Sequence, residues 1–470
     1  MTSTSPIILW FRRDLRLSDH LALYTAAKSG RPIIPVWIHD ECVETLGGAP
    51  KWRMGLSVEA FSDAVKGLKS KLILRRGKAV DVIKQLVAET GATTIYWSRA
   101  YDPQALERDV AVKKTLRDLG LEAESFTGHL LFEPWVAHTK AGGFFKVYTP
   151  FWNCVRQIPV PACLPAPKAL IAPNNWPKSE VISDWNMGHA MNRGAKVVAQ
   201  HVCVGEEAAY RRLTEFVDTA IDRYKDDRDF AGLPATSRLS ENLTYGEISP
   251  RSLYHAGRAA MERGARGAEH FIKEVVWREF AYHLVYHTPQ ITTDNWRPKW
   301  NSFPWREDNS HAELWRQGMT GEAFVDAGMR ELYVTGIMHN RVRMLAGSYL
   351  TKHLMTHWKV GMDWFADTLI DWDPASNAMG WQWIAGCGPD AAPYFRIFNP
   401  ETQAEKFDNN RIYRNRFIPT QANPHEDAMA FYKAVPRSWQ LDLGQVQEKQ
   451  IISLKEGRER ALSAYSAQKA

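Results

Sequence analysis

The sequence predicts two kinds of fold in one chain: an α/β domain with a doubly wound parallel sheet, followed by an all-α domain. Three observations predict this arrangement. Apolar, β-rich segments alternate with helical patterns in the first 135 residues, prolines cluster between residues 158 and 191, and helical periodicity dominates after residue 205. A chain of 470 residues is also too long for one ordinary core. We therefore predict an α/β domain at 1–135, a connector at 136–204 and a helical domain at 205–470.

The first domain is predicted from four candidate strands. They cover residues 6–11, 32–39, 71–77 and 93–99, which are rich in β-branched and aromatic side chains. Apolar residues at helical spacing lie between them, at 63–69 and 80–89. This order is typical of a parallel sheet with helices on both faces. No Gly-x-Gly-x-x-Gly follows the first strand, so a Rossmann-type dinucleotide site is not expected there.

The connector and the second domain are predicted from proline content and periodicity. Six prolines mark a long surface segment: Pro159, Pro161, Pro165, Pro167, Pro173 and Pro177. Helical windows follow at 206–224, 268–287, 321–358 and 361–370. The charged segment 446–470 is predicted to form a surface helix.

Composition narrows the class of protein. Hydrophobic residues make up 45% and charged residues 24% of the chain, an ordinary balance for a soluble protein. The N-terminal arginines follow the first apolar run, which is the reverse of a signal peptide, and no apolar run is long enough to span a bilayer. We therefore expect a cytoplasmic protein.

Cysteine, charge and tryptophan content give weaker constraints. The five cysteines show no metal-site spacing, and only Cys387 lies in the second half, which excludes a four-cysteine cluster there. No metal is expected. The formal net charge of +6 permits nucleic-acid binding without requiring it. The 19 tryptophans suit a large aromatic core, stacking on bases or a cofactor, or electron transfer.

Two segments carry residues suited to phosphate and base recognition. Segment 236–251 places three hydroxyl residues around Arg238 at a helix start, which suits a pyrophosphate. A capped helix start would explain them equally well. Segment 271–284 places Glu274, Trp277 and Arg278 on one helix face, where a base could stack and bond. A surface ion pair beside a core tryptophan is the alternative.

Two further segments lie closer to the C-terminus. Residues 338–344 place Asn340 and Met344 one helical turn apart, beside two arginines. Residues 370–383 combine two carboxylates, an amide and three indoles. The following glycines at 386 and 388 match a loose dinucleotide pattern, but they lie far from any βαβ unit and are set aside.

Seven segments taken together resemble the photolyase/cryptochrome family, in the same order and at similar separations. They are WFRRDLRLSDHLAL (10–23), FKVYTPFWN (145–153), TSRLS (236–240), VWREF (276–280), GIMHNRVRM (336–344), DWDPASNAMGWQW (371–383) and DAAPYFRIFNP (390–400). The resemblance runs from about residue 6 to residue 408. It implies a helical domain that holds FAD and a preceding α/β domain that binds a light-harvesting antenna.

The resemblance implies a set of FAD contacts. Those matching family positions are Tyr224, Thr236, Ser237, Arg238, Leu239, Ser240, Arg278, Asn340, Arg343, Asp371, Asp373 and Asn377. Asn377 matches the position facing flavin N5, and a neutral amide there favours the fully reduced, anionic flavin because it adds no negative charge. That flavin state is the one that photolyases use.

The resemblance also implies the substrate, a cyclobutane pyrimidine dimer in DNA. The dimer pocket is matched by Glu274, Trp277, Asn340, Arg341, Met344 and Trp383. Enzymes for the (6-4) photoproduct carry histidines at the positions of Asn340 and Met344, and neither residue here is a proton donor of that kind. The expected reaction is electron donation to a flipped-out dimer by excited, reduced FAD. The expected contacts to the DNA backbone are Arg228, Arg341, Arg396 and Lys406.

The remaining family assignments concern light and electrons. Trp381, Trp358 and Trp305 match an electron-transfer triad that runs from the flavin to the surface. Glu133, in LLFEPW, resembles a folate-contacting position of plant-like members, so a methenyltetrahydrofolate antenna is expected, with deazaflavin or a second flavin as rivals. The same segment favours the plant-like class III branch.

Three other functions are weighed against dimer repair. A signalling cryptochrome would show an altered residue at 377 and a changed dimer pocket. A single-strand-specific photolyase would keep nearly the same residues and stays open. A non-enzymatic DNA-binding protein would need neither the hydroxyl cluster nor Asn377. DNA is the expected partner, and nothing in the sequence requires more than a monomer.

Overall fold

A computed structural model describes residues 5–390, 395–420 and 422–469. The final family segment, 390–400, is therefore described only in part, because residues 391–394 lie outside the described residues. Five strands form one parallel sheet: β1 (Ile7–Phe11), β2 (Ile33–His39), β3 (Ile73–Arg76), β4 (Thr94–Ser98) and β5 (Glu122–Phe126). The sheet order is β3-β2-β1-β4-β5.

The four predicted strands are confirmed within two residues at each end. The strand β5 was missed because exposed and buried residues alternate along EAESF, so its charged residues mask the apolar ones. Five helices accompany the sheet: α1 (Leu21–Lys28), α2 (Glu41–Glu44), α3 (Gly48–Gly67), α4 (Ala79–Thr90) and α5 (Pro103–Asp118).

The strand β1 shows why the sheet is covered on both faces. Its residues Ile7, Leu9 and Phe11 pack into one apolar cluster, and Ile8 and Trp10 pack into the other. Successive side chains of a strand point to opposite faces, so a continuous apolar run needs a core on each side. The predicted α/β architecture is confirmed.

The rest of the chain is helical. Its helices are α6 (Tyr148–Val155), α7 (Gly194–Val198), α8 (Glu206–Thr219), α9 (Tyr224–Asp227), α10 (Ser240–Tyr245), α11 (Pro250–Glu262), α12 (Ala268–His287), α13 (Ser310–Arg316), α14 (Ala323–Thr335), α15 (Asn340–Ser348), α16 (Trp358–Thr368), α17 (Pro374–Ala385), α18 (Pro400–Phe407), α19 (Ile412–Phe417), α20 (Glu426–Ala434) and α21 (Leu454–Lys469). One π-helical turn, Tyr349–His353, follows α15. Short 3₁₀ turns lie at Ile182–Trp185, His189–Met191, Pro289–Thr292, Pro298–Ser302 and Arg437–Trp439.

The predicted helical window 321–358 is divided into several elements in the structure. It contains α14, α15 and the π-helical turn, and α16 starts at its last residue. Gly336 ends α14 with φ 75°, and a Cβ there would lie 2.7 Å from Ile370 and 2.8 Å from Val198. A left-handed glycine in a tight contact therefore stops the helix, although apolar spacing continues. The proline-rich segment has no regular secondary structure from 158 to 181, and the division of the chain at 135 and 205 stays a prediction.

In the described part of the chain, no helix is both long and apolar enough to cross a membrane. Among the same residues, no three His, Cys, Asp or Glu side chains are grouped so that they could hold a metal ion.

Candidate flavin and DNA site

A cavity of about 570 Å³, here called the helical cavity, opens among α12, α15, α16 and α17. The predicted residues that line it are Arg228, Glu274, Trp277, Asn340, Arg343, Met344, Asp371, Asp373, Asn377, Trp381, Trp383 and Arg396. The structure thus brings together residues from five separate sequence segments. The volume of the helical cavity lies in the range of roughly 300–1,000 Å³ that is usual for cofactor sites.

Apolar wall residues were missed by the sequence reasoning. Phe365, Leu369, Trp372, Met379 and Gly380 also line the helical cavity. A Cβ at Gly380 would meet no atom within 4 Å, so a side chain there would project into open space. An apolar wall with a bare glycine suits a flat ring system, but no local sequence pattern distinguishes such residues from ordinary core.

The acidic start of α17 is fixed from three sides. Asp373 caps the helix by accepting a hydrogen bond from the Ser376 N–H at 2.9 Å, and the Tyr282 hydroxyl donates to it at 2.5 Å. Arg13, from the segment after β1, lies 3.5 Å away. Burial alone would raise the pKa of Asp373, but the nearby arginines and these hydrogen bonds hold that pKa below its ordinary value. Asp373 is therefore a fixed negative charge.

Asp371 links the cavity to the hydroxyl segment. Arg343 donates to both of its carboxylate oxygens, at 3.0 and 2.8 Å, and the Ser240 hydroxyl donates at 2.7 Å. Ser240 is the first residue of α10, and Arg238 just before it has φ 52°, in the left-handed region. Non-glycine residues in that conformation cluster at ligand sites. The predicted phosphate segment therefore lies beside the cavity wall, in contact with a cavity residue.

The side chain of Asn377 is oriented by a backbone group. Its Nδ2 donates to the Met362 carbonyl at 3.0 Å, which ties α17 to α16. Asn377 itself lines the cavity, and its bond to Met362 uses only one of the amide hydrogens. The side chain is neutral, as the resemblance requires for a residue beside reduced flavin.

The two predicted dimer contacts on α12 are both partnered. Arg228 forms an ion pair with Glu274, and His270 lies 3.6 Å from the same carboxylate. Trp277 stacks on Tyr148 with ring centroids 3.7 Å apart and planes 6° apart. Tyr148 begins α6, so the family segment 145–153 acts by supporting the indole that lines the cavity.

Two of the predicted DNA contacts meet outside the cavity lining. Arg341 lies 4.5 Å and Lys406 5.1 Å from the Phe407 ring centroid, so both cations flank one aromatic ring. Arg341 also forms an ion pair with Asp229. Sequence reasoning missed Asp229, although its position next to Arg228 was a usable signal.

The predicted electron-transfer residues form a partly continuous aromatic path. Trp381 packs against α16, where a Cβ at Gly361 would lie 2.0 Å from its ring. Trp358 begins α16, and its ring is 5.5 Å from His357. Trp305 lies 4.9 Å from the same histidine ring. Trp358 is fully buried, and its indole N–H donates to Asn295 at 2.8 Å.

Arg278 is not placed at the helical cavity. Its guanidinium donates to the His129 carbonyl at 2.9 Å and contacts Glu279 at 3.1 Å, and it lies over the Tyr282 ring. It therefore ties α12 to the segment after β5. Tyr224 lies next to the cavity residue Arg228, whose guanidinium is 5.2 Å from the tyrosine ring.

A second cavity of about 310 Å³, here called the sheet-edge cavity, lies at the carboxyl ends of β1, β2 and β4. Open parallel sheets bind ligands at this edge, where the strand order reverses. The lining includes Trp37, His129 and Trp372 together with Arg12, Asp14, Asp40, Arg99 and Arg108. Trp372 lines both cavities, so the two cavities share one wall.

Glu133, the predicted folate contact, lies next to the sheet-edge cavity, but its carboxylate is already bonded to protein groups. Its carboxylate is 3.2 Å from the Arg99 guanidinium and accepts from the Tyr101 hydroxyl at 2.8 Å. Arg99 lines the cavity, so Glu133 would reach a ligand there through Arg99.

Comparisons with known proteins agree with this geometry. The family model described as FAD binding domain of DNA photolyase matches residues 271–467, and that described as DNA photolyase matches residues 7–168. The deoxyribodipyrimidine photo-lyase of Agrobacterium fabrum is 44% identical over 473 residues, which is 99% of this chain and 98% of that protein. The chain therefore belongs to the DNA photolyase family.

Solved structures extend the likeness to three dimensions. The crystal structure of a bacterial class III photolyase from Agrobacterium tumefaciens matches with a TM-score of 0.92 at 43% identity, over 100% of this chain and 98% of that one. An archaeal photolyase from Sulfolobus tokodaii, crystallised with two FAD molecules, matches with a TM-score of 0.81 at 26% identity, over 98% of this chain and 100% of that one.

Proposed function

We propose that this protein is a deoxyribodipyrimidine photo-lyase that uses light to split cyclobutane pyrimidine dimers in DNA. One observation carries the proposal: predicted flavin contacts and predicted dimer contacts line the same cavity. Asp371, Asp373 and Asn377 lie on the same walls as Trp381, while Glu274, Trp277 and Met344 complete the lining. The residues fit FAD, since they offer fixed carboxylates, an arginine, amides and a flat apolar wall.

Arg343, Asp371, Asp373 and Asn377 would hold reduced FAD, and its chemistry when bound would be donation of a light-excited electron that opens the two C–C bonds of the dimer and then returns. The chain provides orientation and an apolar setting for that transfer. Glu274 accepts hydrogen bonds from the pyrimidine edge, and Trp277, held by Tyr148, gives a flat wall. The side-chain N–H groups of Asn340 can donate to the carbonyl oxygens of the dimer. Its side chain makes only a long contact of 3.9 Å, to the Met344 sulfur, among the described residues.

Among the described residues that line the helical cavity there is no histidine, the acid that (6-4) repair uses. His339 lies next to Asn340, but burial lowers the pKa of His339 to about 4. Its Nδ1 accepts the Arg341 N–H at 3.2 Å as the cap of α15. A neutral, capping imidazole does not donate a proton at neutral pH, which favours the cyclobutane dimer as substrate.

DNA binding is proposed to use the arginines around the cavity mouth. Arg228 and Arg396 line the cavity, and Arg341 and Lys406 flank Phe407 beside it. These cations can hold the phosphates of a strand whose damaged bases turn into the cavity. On this proposal Glu274 and Asp229 hold Arg228 and Arg341 in place until DNA arrives.

An antenna is proposed to bind in the sheet-edge cavity, with methenyltetrahydrofolate favoured over deazaflavin or a second flavin. Trp37 and Trp372 offer ring faces and Arg99 offers a cation for a carboxylate. The shared wall at Trp372 would keep the antenna close to the flavin, which supports energy transfer. Denaturation of the purified protein, followed by chromatography of the released chromophores, identifies the occupant; a flavin beyond one per chain would replace folate in this proposal.

The decisive experiment is repair of defined dimers. Purified protein with reduced FAD is expected to restore thymines in a dimer-containing oligonucleotide under blue light and not in the dark. Duplex and single-stranded oligonucleotides are compared, because a single-strand-specific enzyme would act on the second alone. Glu274→Gln should weaken dimer binding roughly 10- to 100-fold, as expected for one charge-assisted hydrogen bond of roughly 1.5–3 kcal/mol. Illuminated protein that left dimers intact in both substrates would refute the proposal.

Trp381, Trp358 and Trp305 are proposed to carry the electrons that reduce oxidised flavin, and not to take part in repair itself. Trp381→Phe should slow photoreduction of oxidised FAD at least tenfold, because it removes the readily oxidised indole that lines the cavity. Repair by chemically reduced enzyme should stay near the wild-type rate. Equal photoreduction in variant and wild type would contradict the assignment of Trp381.

We also propose that the protein acts as a monomer in the cytoplasm. Size-exclusion chromatography coupled to light scattering is expected to give the mass of one chain, 53.6 kDa before cofactors. A stable dimer mass would overturn this part of the proposal.

A further inference from the structure

A buried lysine links the turn that follows α15 to the end of α17, and α15 and α17 both line the helical cavity. Lys352 is 1% exposed and lies in the π-helical turn that follows α15. Its Nζ donates to the carbonyls of Ile384 and Ala385, at 2.9 and 2.6 Å. These are the last two residues of α17, whose final carbonyls have no partner inside the helix.

Burial of Lys352 lowers the stability of the fold unless its charged group is stabilised by other contacts. Burying an ammonium group is unfavourable, and burial lowers the pKa of Lys352 to about 7. Among the described residues no carboxylate lies within ion-pair distance of Lys352, so its stabilising contacts are the helix carbonyls and the Phe395 ring, 4.0 Å from Nζ. A cation at a helix C-terminus is favourable, and amine and ammonium forms both donate hydrogen bonds. Single π-helical turns are frequent at functional sites.

We infer that Lys352 is a positioning residue, which anchors the C-terminal end of α17 so that Trp383 and Trp381 stay at the cavity wall. This inference rests on the proposed function, because the importance of Trp383 comes from dimer binding. Trp383 directly precedes the anchored carbonyls, and its own indole donates to the Asp390 carbonyl at 3.1 Å. A displaced helix end would move this indole first.

The other end of α17 is held independently. Asp373 caps it and the Asn377 side chain bonds Met362. Asn377 lies seven residues before Ile384, or about 10 Å along a helix with a rise of about 1.5 Å per residue. Loss of the lysine should therefore have graded effects: largest on Trp383, smaller on Trp381 and smallest on Asn377.

The test is Lys352→Met, which keeps the length of the side chain but removes its donors. The flavin-containing variant is expected to retain the wild-type flavin content and absorption spectrum, because Asn377 is unaffected. Its KM for dimer-containing DNA should rise about tenfold, with kcat within twofold of wild type. Photoreduction should slow less than dimer binding weakens. Amides of residues 381–387 should exchange hydrogen faster, by mass spectrometry.

Two further variants separate positioning from general stability. Lys352→Arg keeps donors and should restore most of the dimer affinity. Arg460→Met is the matched control: Arg460 donates to the carbonyl of the neighbouring residue, His353, but does not contact α17. It should lower thermal stability without raising KM. If Lys352→Met does not fold, Lys352→Gln replaces it; its shorter side chain with a neutral amide donor should give a smaller but measurable rise in KM, of a few-fold.

Specific outcomes overturn the inference. Unchanged KM in Lys352→Met, an Arg variant as impaired as the Met variant, or an equal rise in KM for Arg460→Met would each do so. If wild-type protein itself fails to bind or repair dimers, the proposed function is wrong. The anchoring of α17 is then judged by hydrogen exchange alone, where unchanged exchange at residues 381–387 would refute it.

Discussion

The two cavities of this protein handle charge in different ways. In the sheet-edge cavity the charged lining residues are matched by protein partners: Arg12 lies 2.6 Å from Asp109, Arg108 lies 2.8 Å from Asp40, and Asp14 lies 2.8 Å from His20. A ligand there would be held mainly by shape and by indole faces, with Arg99 at the edge of the cavity as its cationic contact. This suits an absorber that only has to be kept close.

In the helical cavity the polar groups are held but still available. Asn340 makes only a long contact with a sulfur among the described residues, and Asn377 uses one of its amide hydrogens. Arg343 and Asp371 form a pair that lines the cavity and also reaches the phosphate segment. The helical cavity therefore keeps two oriented amides with unused hydrogen-bonding capacity, whereas Arg12, Arg108 and Asp14 of the sheet-edge cavity are bonded to protein partners. Substitutions at Arg343, Asp373 and Trp37 test this contrast, and their expected effects decrease in that order.

Removing Arg343 should have the largest effect on flavin. Arg343→Leu leaves the carboxylate of Asp371, which is 5% exposed, without its bidentate partner. Flavin affinity should fall at least 100-fold, or about 2.8 kcal/mol, because Arg343 and the carboxylate that it orients both line the cavity. Flavin content after gel filtration is the measurement.

Arg12→Leu is the control for Arg343→Leu, since it breaks a similar pair in the other cavity. It should lower stability but leave flavin affinity within about threefold of wild type. If both variants lose flavin to the same extent, the contrast between the two cavities has no functional meaning.

Acid should weaken the contact between the two halves of the molecule through Asp373. Because its folded-state pKa is lowered, the stability that Asp373 contributes is fully present above its unfolded pKa of about 4 and is lost as the pH falls further. Asp373→Asn should therefore be less stable than wild type at pH 7, by about 1–3 kcal/mol, and nearly equal to it in acid.

Urea unfolding at neutral pH and at a pH below the unfolded value checks this prediction. A constant difference between variant and wild type at both pH values would show that Asp373 contributes through packing instead of charge.

Loss of Trp37 should have the smallest effect. Trp37→Leu removes one ring face from the sheet-edge cavity, so the antenna should dissociate while flavin content stays normal. Repair should slow a few-fold at wavelengths that the antenna absorbs and stay unchanged where the flavin absorbs directly. An action spectrum of repair measures both, and an unchanged spectrum would place the antenna elsewhere.

Local sequence was sufficient for the elements whose signals are repetitive. Four strands were found because continuous apolar runs mark buried parallel strands, and α12 was predicted with its observed bounds, Ala268–His287. β5 was missed because charge alternates along it. The breaks inside the helical window 321–358 were not predicted, because apolar spacing does not report a left-handed glycine. Boundaries depend on contacts with distant residues, as Gly336 shows through Ile370.

The sequence alone determined the family, the mixed architecture and most of the cavity lining, because side-chain chemistry and motif order are written in the chain. Only the tertiary structure decided how these groups are used. It paired Glu274 with Arg228, turned Arg278 towards His129, placed Trp372 between two cavities and set Lys352 beneath the end of α17. Hydrogen bonds and packing act over a few ångströms, and they join residues that lie up to hundreds of positions apart in sequence, so local sequence does not report them.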